Sequence, residues 1–191
     1  MRWIGRTFTA IVGVVLLAAC GATGASDQRS EQVRQTSEPM TSHGTPEARL
    51  LGFLNAANKA DLEGGRLAQD RGTREAVKTY GRQMETDHMQ MLQDSEAAAH
   101  QLRLLPVMGP ETQQLVADQT KRTQALQAAT GKKFDQLYLS HEVETHQRVL
   151  QTAASLAGHT QDAQLKQLVA NARPILEAHL KAAQKLMADE Q

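Results

Sequence analysis

Apolar positions recur at steps of three and four through most of the chain, and that register predicts helices rather than strands. One stripe reads Val77, Tyr80, Met84, His88, Met91, Ser95, Ala98, Leu102. Others read Leu50, Leu54, Ala57, Asp61, Gly64, Ala68, then Leu139, Glu142, His146, Leu150, Ala153, and finally Leu165, Leu168, Ala172, Ile175, His179, Ala183, Leu186. Residues three or four apart share a helix face, so each stripe carries at least one ionisable side chain inward among its apolar neighbours.

Local punctuation sets the ends of these helices. Thr45-Pro46-Glu47 supplies an N-cap, a proline at the first helical position and an acid near the positive end of the helix dipole. The first helix is expected from Pro46 to about Asp70, stopped by Gly72, with Thr73 capping a second that continues to about Leu104, before Pro106. Residues 106 to 131 show weaker periodicity and many Gln and Thr, and read as a connection carrying a short helix of its own. A third long helix is expected from Lys132 to about Leu156, ending at Gly158, and a fourth from near Thr160 to the C-terminus. Pro174 removes a backbone donor inside that last helix and is expected to kink it just before His179.

If the first two helices form one hairpin and the last two another, with 106 to 131 crossing the bundle, the inward polar residues approach one another. At about 1.5 Å per residue, Glu85 and Glu142 come to similar heights, as do His88 and His146, while Asp61 and His179 fall about one to two turns higher. Asp61, Glu85, His88, Glu142, His146 and His179 are therefore the candidate metal ligands. Imidazole and carboxylate suit zinc, iron or copper. Asp87 flanks the stripe and is placed to orient a histidine from outside. The alternative reading is a buried polar network in which each histidine bonds to an acid or a tyrosine hydroxyl and only sets helix register. Met84 and Met91 share the face of His88 and read as core packing, with soft copper(I) ligation as a further alternative. His43, His100, His141 and His159 read as linker, surface or turn residues.

The N-terminus reads differently. Arg2 and Arg6 precede an apolar run from Phe8 to Ala19, shorter than the roughly 20 residues that cross a bilayer, so residues 1 to 19 are expected to be a signal peptide. Leu17-Ala18-Ala19-Cys20 resembles a bacterial lipobox, in which the cysteine is acylated, with palmitate or a similar chain, and becomes the mature N-terminus. Gly21 at the next position favours the outer membrane by the same resemblance, with the domain facing the periplasm. Residues 20 to 44 are poor in large apolar side chains and read as a flexible tether spanning on the order of 25 Å. Residues 45 to 191 have the length of one domain.

Composition narrows the function. The chain has 21 basic and 21 acidic residues, and loss of Arg2 and Arg6 with the signal leaves a slight acidic excess. No basic cluster remains, and the only aromatics after the signal are Phe53, Tyr80, Phe134 and Tyr138, so nucleic-acid binding is excluded. Cys20 is the single cysteine, which removes disulfides and thiolate metal sites from the domain. No Gly-rich phosphate loop and no Ser-His-Asp arrangement is visible.

Phe53-Leu54, Gly65-Arg66-Leu67-Ala68, Asp87-His88, Phe134-Asp135-Gln136-Leu137-Tyr138, His146 and Pro174-Ile175-Leu176-Glu177-Ala178-His179-Leu180, in this order and spacing, resemble the bacterial DUF4142 family, described as predicted outer-membrane proteins of ferritin-like fold. The resemblance runs from about Ala48 to Met187. It implies an all-α, ferritin-like four-helix bundle with a crossover, and no established activity. The ferritin-like di-iron pattern uses a Glu on each of two helices and Glu-x-x-His on the other two. Here Glu85-x-x-His88 fits, but Glu142 stands four residues before His146, and Leu176 occupies the place of the second Glu. Glu177 points away from the stripe, towards Lys181. A histidine-rich mononuclear site is easier to build than a di-iron one.

The expected protein is thus an envelope lipoprotein, held to the membrane by its lipid, whose bundle binds a transition metal. The alternatives are a structural or protein-interaction module and a metal-dependent oxidoreductase. For the lipid anchor, Cys20→Ser is expected to abolish acylation and move the protein out of the membrane fraction. Lipid on the mutant, or an unmodified cysteine on a soluble wild type, would refute it.

Overall fold

The computed structural model describes residues 44–189, so the expected signal peptide, Cys20, His43 and most of the expected tether lie outside the described residues. The described part is all helical: α1 Pro46–Arg71, α2 Glu75–Leu102, α3 Pro110–Ala128, α4 Gly131–His159 and α5 Ala163–Ala188. Among the described residues no helix is long and apolar enough to cross a membrane.

The first helix begins as its sequence dictates. The Thr45 hydroxyl accepts from the Ala48 N–H at 3.2 Å, Pro46 opens the first turn, and the Gly72 N–H closes the last on the Ala68 carbonyl at 2.9 Å. The start of α2 departs from expectation. Thr73 does not cap it through its side chain; instead the Asp135 carboxylate, from α4, accepts from the Thr73 and Arg74 N–H groups at 2.8 and 3.0 Å. A charged acceptor on two orphan N–H groups at the positive end of the helix does more than a threonine hydroxyl would. It also ties the two hairpins together.

Three other boundaries move. The connection helix α3 is 19 residues long rather than short. Helix α4 runs through Gly158, and α5 starts at Ala163, where the Asp162 carboxylate accepts from the Leu165 N–H at 2.9 Å. Thr160 serves the turn before it, accepting from the Asp162 N–H and donating to Glu47. Pro174 sits within a continuous α5. Glu177 pairs back to Arg173 rather than forward to Lys181.

Contacts between chain ends define the topology. At one end Val107 N–H donates to the Ala48 carbonyl and Thr160 Oγ1 to Glu47 Oε1. At the other, Arg71 donates to the terminal carbonyls of α3 at Leu126, Gln127 and Ala129, where the helix dipole favours a cation, and Arg74 Nη2 reaches the Leu186 carbonyl. Helices α1, α3 and α5 therefore run one way, α2 and α4 the other. The hairpins α1–α2 and α4–α5 pack with α1 on α4 and α2 on α5, giving a four-helix bundle, and α3 lies outside along α1 and α4. This is the hairpin-crossover-hairpin arrangement expected from the sequence.

The core is divided. One apolar cluster joins Leu50, Phe53, Leu54, Ala57, Met91, Val149, Leu156, Leu165 and Leu176 with their neighbours. The other joins Ala68, Val77, Tyr80, Met84, Phe134, Tyr138, Leu139 and Ala183. Between them in sequence on every bundle helix lie the buried polar residues: Asn58 and Asp61 on α1, His88 on α2, Glu142 and His146 on α4, His179 on α5. Near this layer α1 and α2 almost touch through backbone. A methyl group added at Gly65 would stand 2.6 Å from the Gly81 oxygen, and one at Gly81 2.7 Å from the Gly65 oxygen.

Asp135→Ala is expected to strand two N–H groups and the start of α2, lowering stability by roughly 1 to 3 kcal/mol. Thermal unfolding followed by circular dichroism measures this. A melting temperature equal to wild type would show that the cap contributes nothing.

Candidate metal centre

The four bundle helices bring their inward polar residues to one height. Asp61 lies 15 residues from the start of α1, His88 14 from the end of α2, His146 13 from the end of α4 and His179 16 from the start of α5. The later start of α5 removes most of the height difference that the sequence reading assigned to His179. The imidazole rings form a triangle, with centroids 5.3 Å apart for His88 and His179, 5.4 Å for His146 and His179, and 5.6 Å for His88 and His146. All three side chains are buried.

Each imidazole is held by one nitrogen. His88 Nδ1 lies 3.0 Å from Asn58 Oδ1, His146 Nδ1 2.9 Å from the Glu142 carbonyl, and His179 Nε2 2.8 Å from Asp87 Oδ2. All three partners are acceptors, so each held nitrogen carries the proton and the other presents a lone pair. Those others, His88 Nε2, His146 Nε2 and His179 Nδ1, are buried and have no hydrogen-bond partner. One ring nitrogen from each histidine lies within 4.8 Å of the other two, and His146 meets Asp61 and Glu142 under the same limit. Asp61 Oδ2 stands 3.7 Å from His88 Nε2, beyond hydrogen-bond reach, and it and Glu142 Oε2 are likewise buried without a partner.

Burial dominates the charge states. Desolvation, followed by the neighbouring imidazoles, holds His88 well below its ordinary value, and desolvation with His179 brings His146 down to about 4. Desolvation lowers His179 as well, against the pull of Asp87. The acids move the other way. Desolvation raises Asp61 to about 7, opposed by the charge of Arg122, and raises Glu142 well above the carboxylate range, with Asp61 adding to the shift. Without a cation, therefore, burial drives the layer towards neutrality, with the imidazoles uncharged, Glu142 favouring its proton and Asp61 losing its own only as pH rises through about 7. Three free imidazole nitrogens and two acids, with Glu142 Oε2 3.4 Å from His146 Nδ1 but not bonded to it, are a place for a positive charge.

Of the sequence candidates, the structure assembles Asp61, His88, Glu142, His146 and His179 and leaves out Glu85. Three residues before His88, Glu85 falls at the edge of the stripe, where Arg66 Nε and Gln69 Nε2 from α1 each hold it at 2.7 Å. Those two bonds lower its pKa, Arg66 first. Asp87 takes the outer position expected of it, on His179. Asn58 was missed, although its place four residues after Leu54 and three before Asp61 puts it in the same stripe. His100 and His159 are exposed, as expected, and His141 is partly buried. Tyr80 donates to the His179 carbonyl at 3.2 Å, whereas the Tyr138 hydroxyl is buried beside Glu142 without a well-aligned hydrogen bond.

A family model described as a domain of unknown function, DUF4142, matches residues 30–186. The chain belongs to the DUF4142 family. Comparison with curated proteins and with solved structures gives no match. The DUF4142 match spans all but the last two residues of the bundle and includes all five assembled side chains, but the chemistry of the site rests on this chain's own geometry.

The two kinds of shift have opposite signs in stability. A depressed histidine such as His146 contributes stability that is present above about pH 6.5 and lost as pH falls through about 4. A raised acid such as Asp61 contributes stability that is present below about pH 3.8 and lost as pH rises through about 7. Metal-free Asp61→Asn is therefore expected to melt higher than metal-free wild type at pH 8, by on the order of 5 °C. The gain should shrink as the pH is lowered towards 4. Equal melting temperatures at pH 8 would show that Asp61 is not the strained acid of the layer.

Proposed function

We propose that this DUF4142 protein binds one transition-metal ion between His88, His146 and His179, with Asp61 and Glu142 supplying carboxylate oxygen. The observation that carries the reading is the pairing of each histidine, one nitrogen held by an acceptor and the other buried and unpartnered, in three rings whose ligand atoms come within 4.8 Å of one another. Metal-bound imidazoles are oriented in this way, by a carboxylate, a carbonyl or an amide oxygen on the far nitrogen. A purely structural network would instead use those nitrogens and the acid oxygens as partners for one another, because buried polar groups without partners are costly.

The donor set is nitrogen-rich with hard oxygen beside it, which suits zinc(II), iron(II) or copper(II). With Glu85 engaged on the surface, no Glu-x-x-His pair faces the layer, so the set favours one ion over a carboxylate-bridged pair. A bound cation replaces the protons on Asp61 and Glu142, and affinity should weaken as pH falls below about 7. The setting we propose is the cell envelope, with the bundle tethered through an acylated Cys20.

Metal content of protein purified without added metal or a histidine tag gives the first test. Melting temperatures of wild type, His88→Ala, His146→Ala and the exposed control His100→Ala, each with chelator and with zinc, iron or copper, give the second. At about a hundredfold excess over the dissociation constant a bound ion adds roughly 2.7 kcal/mol, or about 5 to 10 °C. Wild type and H100A should show this rise with one metal, and H88A and H146A should not. A wild type indifferent to every metal and to chelator would leave the buried polar network as the account of the layer.

A further inference from the structure

A cavity of about 350 Å³ adjoins the polar layer on the side of the first apolar cluster and takes a wall from each bundle helix. Leu54 and Ala57 of α1, Met91 of α2, Val149 of α4, and Leu168 and Leu176 of α5 make its interior apolar. Asp94, Asn171 and Ile175 are exposed residues of its lining, which places the mouth between α2 and α5, on the side away from α3. A larger groove, about 620 Å³, lies between α1 and α3, but none of the five clustered side chains lines it.

One residue belongs to both the cavity and the layer. Asn58 is 7% exposed and lines the cavity, and its amide oxygen holds His88 Nδ1. Its NH2 group meets no acceptor among the described residues, and it is not enclosed as the orphaned atoms of the layer are. An amide whose oxygen is committed to His88 and whose NH2 is open to the cavity can offer that donor to a ligand there. No side chain of the lining accepts from it, so its partner in the cavity is solvent or a ligand that displaces solvent. Asp94, the one charged residue of the lining, is at the mouth and holds Gln90, so nothing inside would compensate an ion.

We propose that this cavity is the ligand chamber of the metal centre, taking a small uncharged molecule with an apolar body and one hydrogen-bond acceptor that meets the Asn58 NH2. The inference rests on the metal reading above. Its volume lies at the small end of the range for small-molecule pockets, and its pattern of apolar walls around one placed polar group is theirs. The chamber communicates with the metal through a single amide. An acceptor on the NH2 polarises Asn58, strengthens the bond its oxygen makes to His88 Nδ1–H, and makes His88 Nε2 the better ligand. Chamber and metal are then linked, and each must raise the other's affinity by the same factor.

The probe is 4-fluorobenzyl alcohol, followed by fluorine NMR on the full chain, with cobalt(II) titrated as the metal. Wild type is expected to bind the alcohol, and saturating alcohol to raise cobalt affinity about fivefold or more, with the reciprocal gain in alcohol affinity when cobalt is present. Ala172→Phe fills the chamber, and Ile175→Trp covers its mouth from a position already 37% exposed, so that one blocked variant remains if the other fails to fold. Both should lose alcohol binding at least tenfold and keep cobalt. Asn58→Ala should lose the coupling between the two ligands. Cobalt bound by a wild type that ignores the alcohol, or alcohol bound equally by wild type and both blocked variants, or binding of both ligands without coupling, would overturn the chamber alone. A wild type that takes up no cobalt would overturn the metal reading and the chamber's role with it.

Discussion

Ionisable side chains sealed from water cannot keep the charges they carry in solvent, and the layer at the middle of this bundle holds five of them. Desolvation pushes the imidazoles towards neutrality and the carboxyls towards protonation, so the layer is balanced only by protons or by a cation. Replacing His88 would strand Asn58 of α1, and replacing His179 would strand Asp87 of α2. The two apolar clusters supply the enclosure that makes this so, since burying each large side chain contributes about 1.5 to 3 kcal/mol and keeps water from screening the layer.

The frame around the layer is built to hold heights and distances. Gly65 and Gly81 let α1 and α2 approach through backbone, and Asp61 and His88 follow from that contact. Asp135 ties α4 to the start of α2, and the Arg71 and Arg74 side chains tie α1 to α3 and the α1–α2 turn to α5. The crossover helix has an electrostatic part as well. Arg122 of α3, held by the His141 carbonyl, Thr145 and Glu144, is the cation whose field opposes the rise of both Asp61 and Glu142. A connection that looks like a spacer thus places a positive charge on the outer side of the acid pair.

Asp87 and Asn58 give the layer two different exits. Asp87 is partly exposed and reaches His179 from solvent, so the third imidazole has a carboxylate path to the surface. Asn58 is buried and reaches His88 from the cavity between α2 and α5. His146 has neither, being held by the carbonyl of its own helix one turn earlier. The three histidines are equivalent in their inward direction and distinct in what stands behind them, which gives the site one wet side, one apolar side and one fixed point.

The heptad-like stripes and the caps determined four long helices, and with them which face of each helix turned inward. The inward direction of His88, His146, His179, Asp61 and Glu142 was legible for the same reason, because direction on a helix depends only on spacing. What spacing leaves open is height. The relative levels of residues on different helices depend on where each helix starts in space, and that was decided by Asp162 as the cap of α5 and by an α4 that runs through Gly158, contacts weighed among several local options. Glu85 shows the same limit. Its separation from His88 suits a ligand pair, but its place at the edge of the stripe let Arg66 and Gln69 of the neighbouring helix capture it. Asp135 capping a helix more than sixty residues earlier, and Arg122 facing acids on two other helices, are tertiary facts of this kind: the residue types announce the chemistry each can perform, and only the packed chain chooses the partner.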